Sequence, residues 1–126
     1  YQCVFPLIKS KDGLLEIIKE INRSKVCPFL TVLKQFGKQQ SKFSFPMEGL
    51  TIALDFPVNP ETLKLLEKLD EITLKYKGRV YLAKDSRMKK EIFQKTDTRI
   101  KDYLNFRNKN NSKSYFSSSQ STRLGL

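Results

Sequence analysis

The chain has 126 residues, enough for one domain with a real core and too few for two comfortable ones. It carries 24 Lys and Arg against 13 Asp and Glu, a net charge of +11, with no histidine and only Cys3 and Cys27 as thiols. A zinc site or a Cys/His nucleophile is thereby nearly excluded, and no apolar run nears the roughly 20 residues that span a bilayer.

Tyr1 to Ile8 is apolar and rich in β-formers, and Lys9 to Gly13 reads as a break. Leu14, Ile17, Ile18 and Ile21 then recur at helical spacing, with Glu16, Lys19, Glu20 and Asn22 opposite. Phe29 to Phe36 alternates and stops at Gly37; the polar stretch Lys38 to Ser44 leads into a second β-like run, Leu50 to Phe56. Asn59 before Pro60 predicts a capped helix, whose apolar face is Leu65, Leu66, Leu69, Ile72 and Tyr76 and whose stop is Gly78. Glu71 and Lys75 are spaced for an i,i+4 ion pair. Arg79 to Leu82 predicts a short strand.

This β-α-β-β-α-β order predicts an α+β fold, the ferredoxin-like plait, with a four-stranded antiparallel sheet and both helices on one face. Two short helical patterns follow, Arg87 to Lys95 and Thr98 to Lys109. The remainder, Asn110 to Leu126, holds six serines and reads as a flexible or loop-like polar tail. With no methionine at position 1, the chain reads as a piece of a larger protein.

The positive charge is uneven: Lys75 to Lys113 holds thirteen basic and four acidic residues. Such a field attracts nucleic acid, phosphorylated ligands or an anionic membrane, and it is equally the mark of a solvated face whose acidic partner lies elsewhere. The RNA-recognition module shares the element order, so a basic binding module for nucleic acid or a protein partner is the alternative reading. That module needs stacking aromatics mid-strand, whereas this strand reads Gly49, Leu50, Thr51, Ile52, Ala53, Leu54, Asp55, which makes nucleic acid an unlikely partner. Apolar positions past Arg79 leave self-association of the chain open.

FPMEGLTIALDFP at 45–57, LEKLDEITLKYKGRVYLAKDSR at 66–87 and YFSSSQSTRLGL at 115–126 resemble the C-terminal part of the decaprenylphosphoryl-ribose 2-oxidase group. These are FAD-dependent oxidoreductases of the vanillyl-alcohol oxidase superfamily, related to the sugar-lactone oxidases. The likeness covers almost the whole chain, and YLAKDSR is its most specific element. It implies that residues 1–78, with a last strand at 79–82, belong to a substrate-binding cap. Residues 79–109 then return to an FAD domain of the same polypeptide that is absent here, and 110–126 form the tail. FAD would be held mainly by that missing domain, with no metal, and the fragment alone would be inactive. The implied substrate is a sugar or a lipid-phosphate sugar. Two thiols in a chain this size suit a reducing cytosol, and a substrate with a polyprenyl tail leaves room for peripheral contact on the inner face of a membrane.

By matching motif positions, the resemblance implies a catalytic and cofactor-facing Lys84. Tyr81 and Ala83 would lie against the flavin, and Gln2, Lys34, Phe36, Thr51, Ala53 and Asp55 would line the substrate wall. A fixed ammonium at Lys84 suits hydride transfer to flavin N5, because negative charge gathers on the reduced ring. The same group suits a hydrogen bond to the substrate hydroxyl. Read without the family, Lys84 and Asp85 are an exposed pair at a strand end and Lys34 is a pocket residue or a snorkelling edge charge. Gln2 is then the polar side of an edge strand, Asp55 a turn acid and Tyr81 a core residue. Some positions depart from the family: Ala53 stands where the best-known members carry cysteine, Leu50 where they carry tryptophan, and Asn111-Ser112 where they carry Asp-Pro. Ser119 replaces an acidic residue, and the His-Trp-Gly-Lys motif of sugar-lactone oxidases is absent.

Overall fold

The computed structural model describes residues 1–39, 43–110 and 115–126. Its first half is β1 (Gln2–Pro6), α1 (Leu7–Ser24), β2 (Leu30–Phe36), β3 (Gly49–Asp55), α2 (Pro60–Lys75) and β4 (Arg79–Val80). The strands form one antiparallel sheet in the order β2-β3-β1-β4, the order of a ferredoxin-like plait. Both helices pack on the same face and against each other. Alternation along the strands sends Cys3, Phe5, Ile52, Leu54 and Val80 toward Leu14, Ile17, Leu65, Leu69 and Ile72, and these form the core.

Helix α1 begins at Leu7, directly after the strand, where the sequence predicts a strand to Ile8 and a break to Gly13. Two contacts turn that polar run into a first helical turn. The Ser10 hydroxyl donates to the carbonyls of Phe5 (3.0 Å) and Pro6 (3.1 Å) and accepts from the Leu50 amide (3.1 Å). Gly13 leaves room for the Phe5 ring, which a Cβ there would approach to 2.8 Å. An exposed helical glycine gains about 1 kcal/mol on conversion to alanine. Gly13→Ala is expected instead to destabilise by about 1–3 kcal/mol through overpacking, read as a lower urea midpoint with an unchanged slope.

Asn59 caps α2 as predicted, its side chain accepting from the Thr62 amide at 2.8 Å with Pro60 in the first turn. Lys75 does not pair with Glu71. Its ammonium reaches Glu16 of α1 at 2.7 Å, and the Tyr76 hydroxyl donates to the same carboxylate at 2.6 Å, so the pair ties the two helices together.

Strand β4 ends two residues earlier than predicted. After Tyr81 donates to the Gln2 carbonyl (2.8 Å), the chain tightens into a 3₁₀ turn over Leu82–Lys84, closed by Lys84 N–H to the Tyr81 carbonyl (3.0 Å). Helices α3 (Lys90–Thr96) and α4 (Ile100–Lys109) follow. Met88, Phe93 and Ile100 are buried in the same core as the plait, so this segment packs on the first half of the chain.

The polar tail departs from a plain loop. Ser119–Leu124 is a helix, α5, opened by a reciprocal capping box between Ser118 and Ser121 and anchored by a fully buried Leu124. Asn111 and Ser112 lie outside the described residues.

Burial pushes the Cys3 thiol up to about 12, whereas Cys27 is exposed. Only Cys27 is expected to react with Ellman's reagent until the chain is unfolded, because the thiolate is the reactive form. Two equivalents released from folded protein would contradict this packing.

Candidate functional site

Residues directly opposite each other in an antiparallel ladder share a face. The register aligns Gln2, Ala53 and Val32, then Val4, Thr51, Lys34 and Arg79, then Asp55 with Leu30 and Gly49 with Phe36. All six substrate-wall candidates, Gln2, Lys34, Phe36, Thr51, Ala53 and Asp55, therefore fall on the sheet face opposite the helices.

That face is not uniformly open. Gln2, Thr51 and Ala53 are buried on β1 and β3, Phe36 and Asp55 are half-buried, and Lys34 on the edge strand is exposed. The Gln2 amide donates to the Thr51 hydroxyl (3.2 Å), which donates to the Cys3 carbonyl (2.8 Å). These polar groups satisfy one another and make a fixed floor.

An aromatic wall rises from one side. Tyr81 stacks on Phe45 with centroids 4.6 Å apart, and Phe45 meets the Phe36 ring edge-on at 6.0 Å. The Arg79 guanidinium, on the same face, holds the segment carrying Phe45 by donating to the carbonyls of Ser44 (3.4 Å) and Pro46 (3.3 Å). Burial lowers the affinity of Arg79 for its proton, with Arg99 adding to the effect. Beside it lies a hollow of about 200 Å³ lined by Phe45, Arg79, Tyr81, Asp97 and Arg99. Neither Phe45 nor Arg79 stands out in the sequence, since the contacts that recruit them span 36 and up to 35 positions.

Lys84, at the end of the 3₁₀ turn, sets its ammonium 3.2 Å from the Asp55 carboxylate at the end of β3, with the two side chains 40% and 34% exposed. The ion pair joins two residues proposed for different roles and fixes the cation at the end of β3; Ala83, its neighbour in the chain, is exposed. Asp85 is not an exposed partner of Lys84. Its side chain is 2% exposed, accepts from the amides of Arg87 (3.1 Å) and Met88 (2.8 Å), and meets Arg123 at 2.9 Å. Arg87 makes a two-pronged pair with buried Asp70 at 2.5 and 2.9 Å. The Gln120 amide donates to the carbonyls of Leu82 (2.7 Å) and Asp85 (2.9 Å). YLAKDSR thus divides into Tyr81, Ala83 and Lys84 at the surface and Asp85 and Arg87 as internal anchors.

The arrangement can hold a substrate edge against an aromatic wall and offer one positioned cation to an oxygen that gains charge. Among the described residues no group of three or more His, Cys, Asp or Glu is placed to hold a metal, and no helix is long and apolar enough to cross a membrane.

No protein-family model matches the chain. It is 35% identical over 127 residues to the decaprenylphosphoryl-β-D-ribose oxidase of Mycolicibacterium smegmatis, an alignment covering all of this chain and 27% of that protein. It is also 35% identical over 118 residues to an uncharacterized protein in the mprA 5′ region of Streptomyces coelicolor, covering 92% of this chain and 32% of that one. The chain spans about a third or less of the length of these relatives. The resemblance carried by FPMEGLTIALDFP, YLAKDSR and YFSSSQSTRLGL extends along the entire chain.

Proposed function

Because the whole chain is similar to a quarter of a decaprenylphosphoryl-β-D-ribose oxidase, we propose that it is the cap and returning segment of an FAD-dependent oxidoreductase. Its substrate would be a sugar carried on a polyprenyl phosphate, oxidised at a secondary alcohol. The observation that supports this reading is the ion pair between the motif lysine, Lys84, and Asp55, a residue of the strand face that the other wall candidates share.

That face would fit a flat ring system: Tyr81 is 36% exposed while stacked on Phe45, and the Lys84 side chain is 40% exposed beside Asp55. FAD, when bound, would supply the hydride acceptor, and most of its binding would come from a part of the longer protein outside this chain. Phe36, Phe45 and Tyr81 would exclude water from one side of the sugar. The Gln2–Thr51 pair would keep the floor rigid, and exposed Lys34 would meet the substrate from the edge strand. Lys84, held by Asp55, would either stabilise charge gathering opposite it or hydrogen-bond the hydroxyl being oxidised.

Purified full-length protein is expected to be yellow and to bleach when a polyprenyl-phosphate ribose is added without oxygen. A colourless product, or no bleaching by any sugar tested, would remove the proposal. The 126-residue chain alone is expected to bind FAD more weakly than the micromolar range and to turn over nothing; tight binding in a fluorescence titration would contradict the division of labour.

A further inference from the structure

A second feature borders the turn that ends in Lys84, through Leu82 and Gln120, and does not depend on the reading of the Lys84 and Asp55 pair. Arg107 of α4 is 7% exposed, yet none of the ion pairs among the described residues includes it. Of its five N–H donors, one reaches the Phe116 carbonyl at 2.5 Å, and the Nε–H is buried with no partner among the described residues. Its remaining neighbour of note is the Tyr103 ring, 6.0 Å from the guanidinium carbon. A buried N–H without a partner keeps its desolvation cost, which an anion's oxygen reaching it would offset.

Arg107 lines a hollow of about 320 Å³ with Tyr103, Phe116, Ser117 and Gln120. No acidic side chain is among the lining residues. Ser118 and Ser121 are engaged in their capping box and Gln120 in its two carbonyl contacts, and among the described residues Ser117 is the lining hydroxyl with no hydrogen bond of its own. The surrounding stretch, Lys75 to Lys113, has nine more basic than acidic residues.

We propose that Arg107 and the hollow it lines form a binding site for a phosphate group. A guanidinium offers a fork of donors matched to two oxygens, and a tetrahedral anion has further oxygens for the Ser117 hydroxyl, which a planar carboxylate lacks. The positive field around the site favours a group carrying up to two charges. Free phosphate and the phosphate of an ester present the same chemistry here.

The test is a titration of the ¹⁵N-labelled chain with inorganic phosphate at constant ionic strength, following the Nε–Hε signal of Arg107, with matched titrations of chloride, acetate and a ribose 5-phosphate ester. The expected result is a saturable shift at Arg107 with phosphate and a rise in melting temperature, absent with chloride and acetate. Arg107→Lys, which retains charge and loses the fork, is expected to bind phosphate about tenfold more weakly, the size of one charge-assisted hydrogen bond. Saturation by the ester at lower concentration identifies an esterified ligand, and saturation by phosphate alone identifies the free ion; both support the site. A linear shift, an equal response to acetate, or undiminished binding in a folded Arg107→Lys protein overturns it. The wild-type titration decides the matter even where the variant does not fold.

Discussion

Replacing Lys84 with alanine in the full-length protein is expected to lower turnover about 10²- to 10³-fold while leaving flavin absorbance unchanged. The ammonium sits at the surface and, among the described residues, has only Asp55 as an ion-pair partner, so its removal should barely alter stability. The diagnostic is the split between colour and bleaching, read in stopped flow without oxygen. Asp55→Asn should cost less than Lys84→Ala, because the lysine stays and only its anchor is weakened. If Lys84→Ala bleaches at the normal rate, the ion pair is a surface bridge and the proposed chemistry loses its central group.

The largest stability effect is expected at Arg87. Its partner Asp70 is 3% exposed on its side chain, and Arg87→Ala leaves that carboxylate buried without a cation, at a cost of about 3–5 kcal/mol in urea unfolding. Burial pushes the Asp70 carboxyl up from its ordinary value of 3.8, and Arg87 is the main group pulling it down, so the variant's folded carboxyl moves further up. An acid whose folded affinity for protons exceeds its unfolded one is penalised once the unfolded chain ionises. The loss in Arg87→Ala should therefore be small below pH 3.8, where both states are protonated, and grow as pH rises above it. Comparing the two proteins at about pH 4 and about pH 7 checks the sign. A double change, Asp70→Leu with Arg87→Met, should recover most of the loss, since apolar replacement of a buried pair is often neutral. A deficit independent of pH would mean that packing of the arginine stem, not charge, is what Arg87 supplies.

The plait was legible because its signals are local: runs of β-formers in β1 and β3, alternation in β2, helical spacing in α1 and α2, and the Asn59-Pro60 start. The onset of α1 was not, because Lys9 to Gly13 lacks apolar periodicity; Ser10 and Gly13 make sense only once Phe5 and Leu50 are folded against them. The same holds for α5, which has little apolar content and relies on a cap and on Leu124. For the site, strand spacing put Lys34 and Phe36 on one face, and the motif resemblance supplied Thr51, Ala53 and Asp55. It could not show that Asp55 meets Lys84, 29 positions away, or that Gln2 and Thr51 bond each other. Phe45 was invisible because its value lies in stacking on Tyr81.

Gln120 and Arg123 clasp the turn that ends in Lys84, from a helix that among the described residues bonds neither the aromatic wall nor the sheet floor. A terminal tag or a short deletion at that end would thus mimic a lesion in the chemistry although every reacting group is intact. Screens that score such variants by activity alone would misassign the defect, and pairing them with a flavin spectrum would tell a misplaced lysine from a missing one.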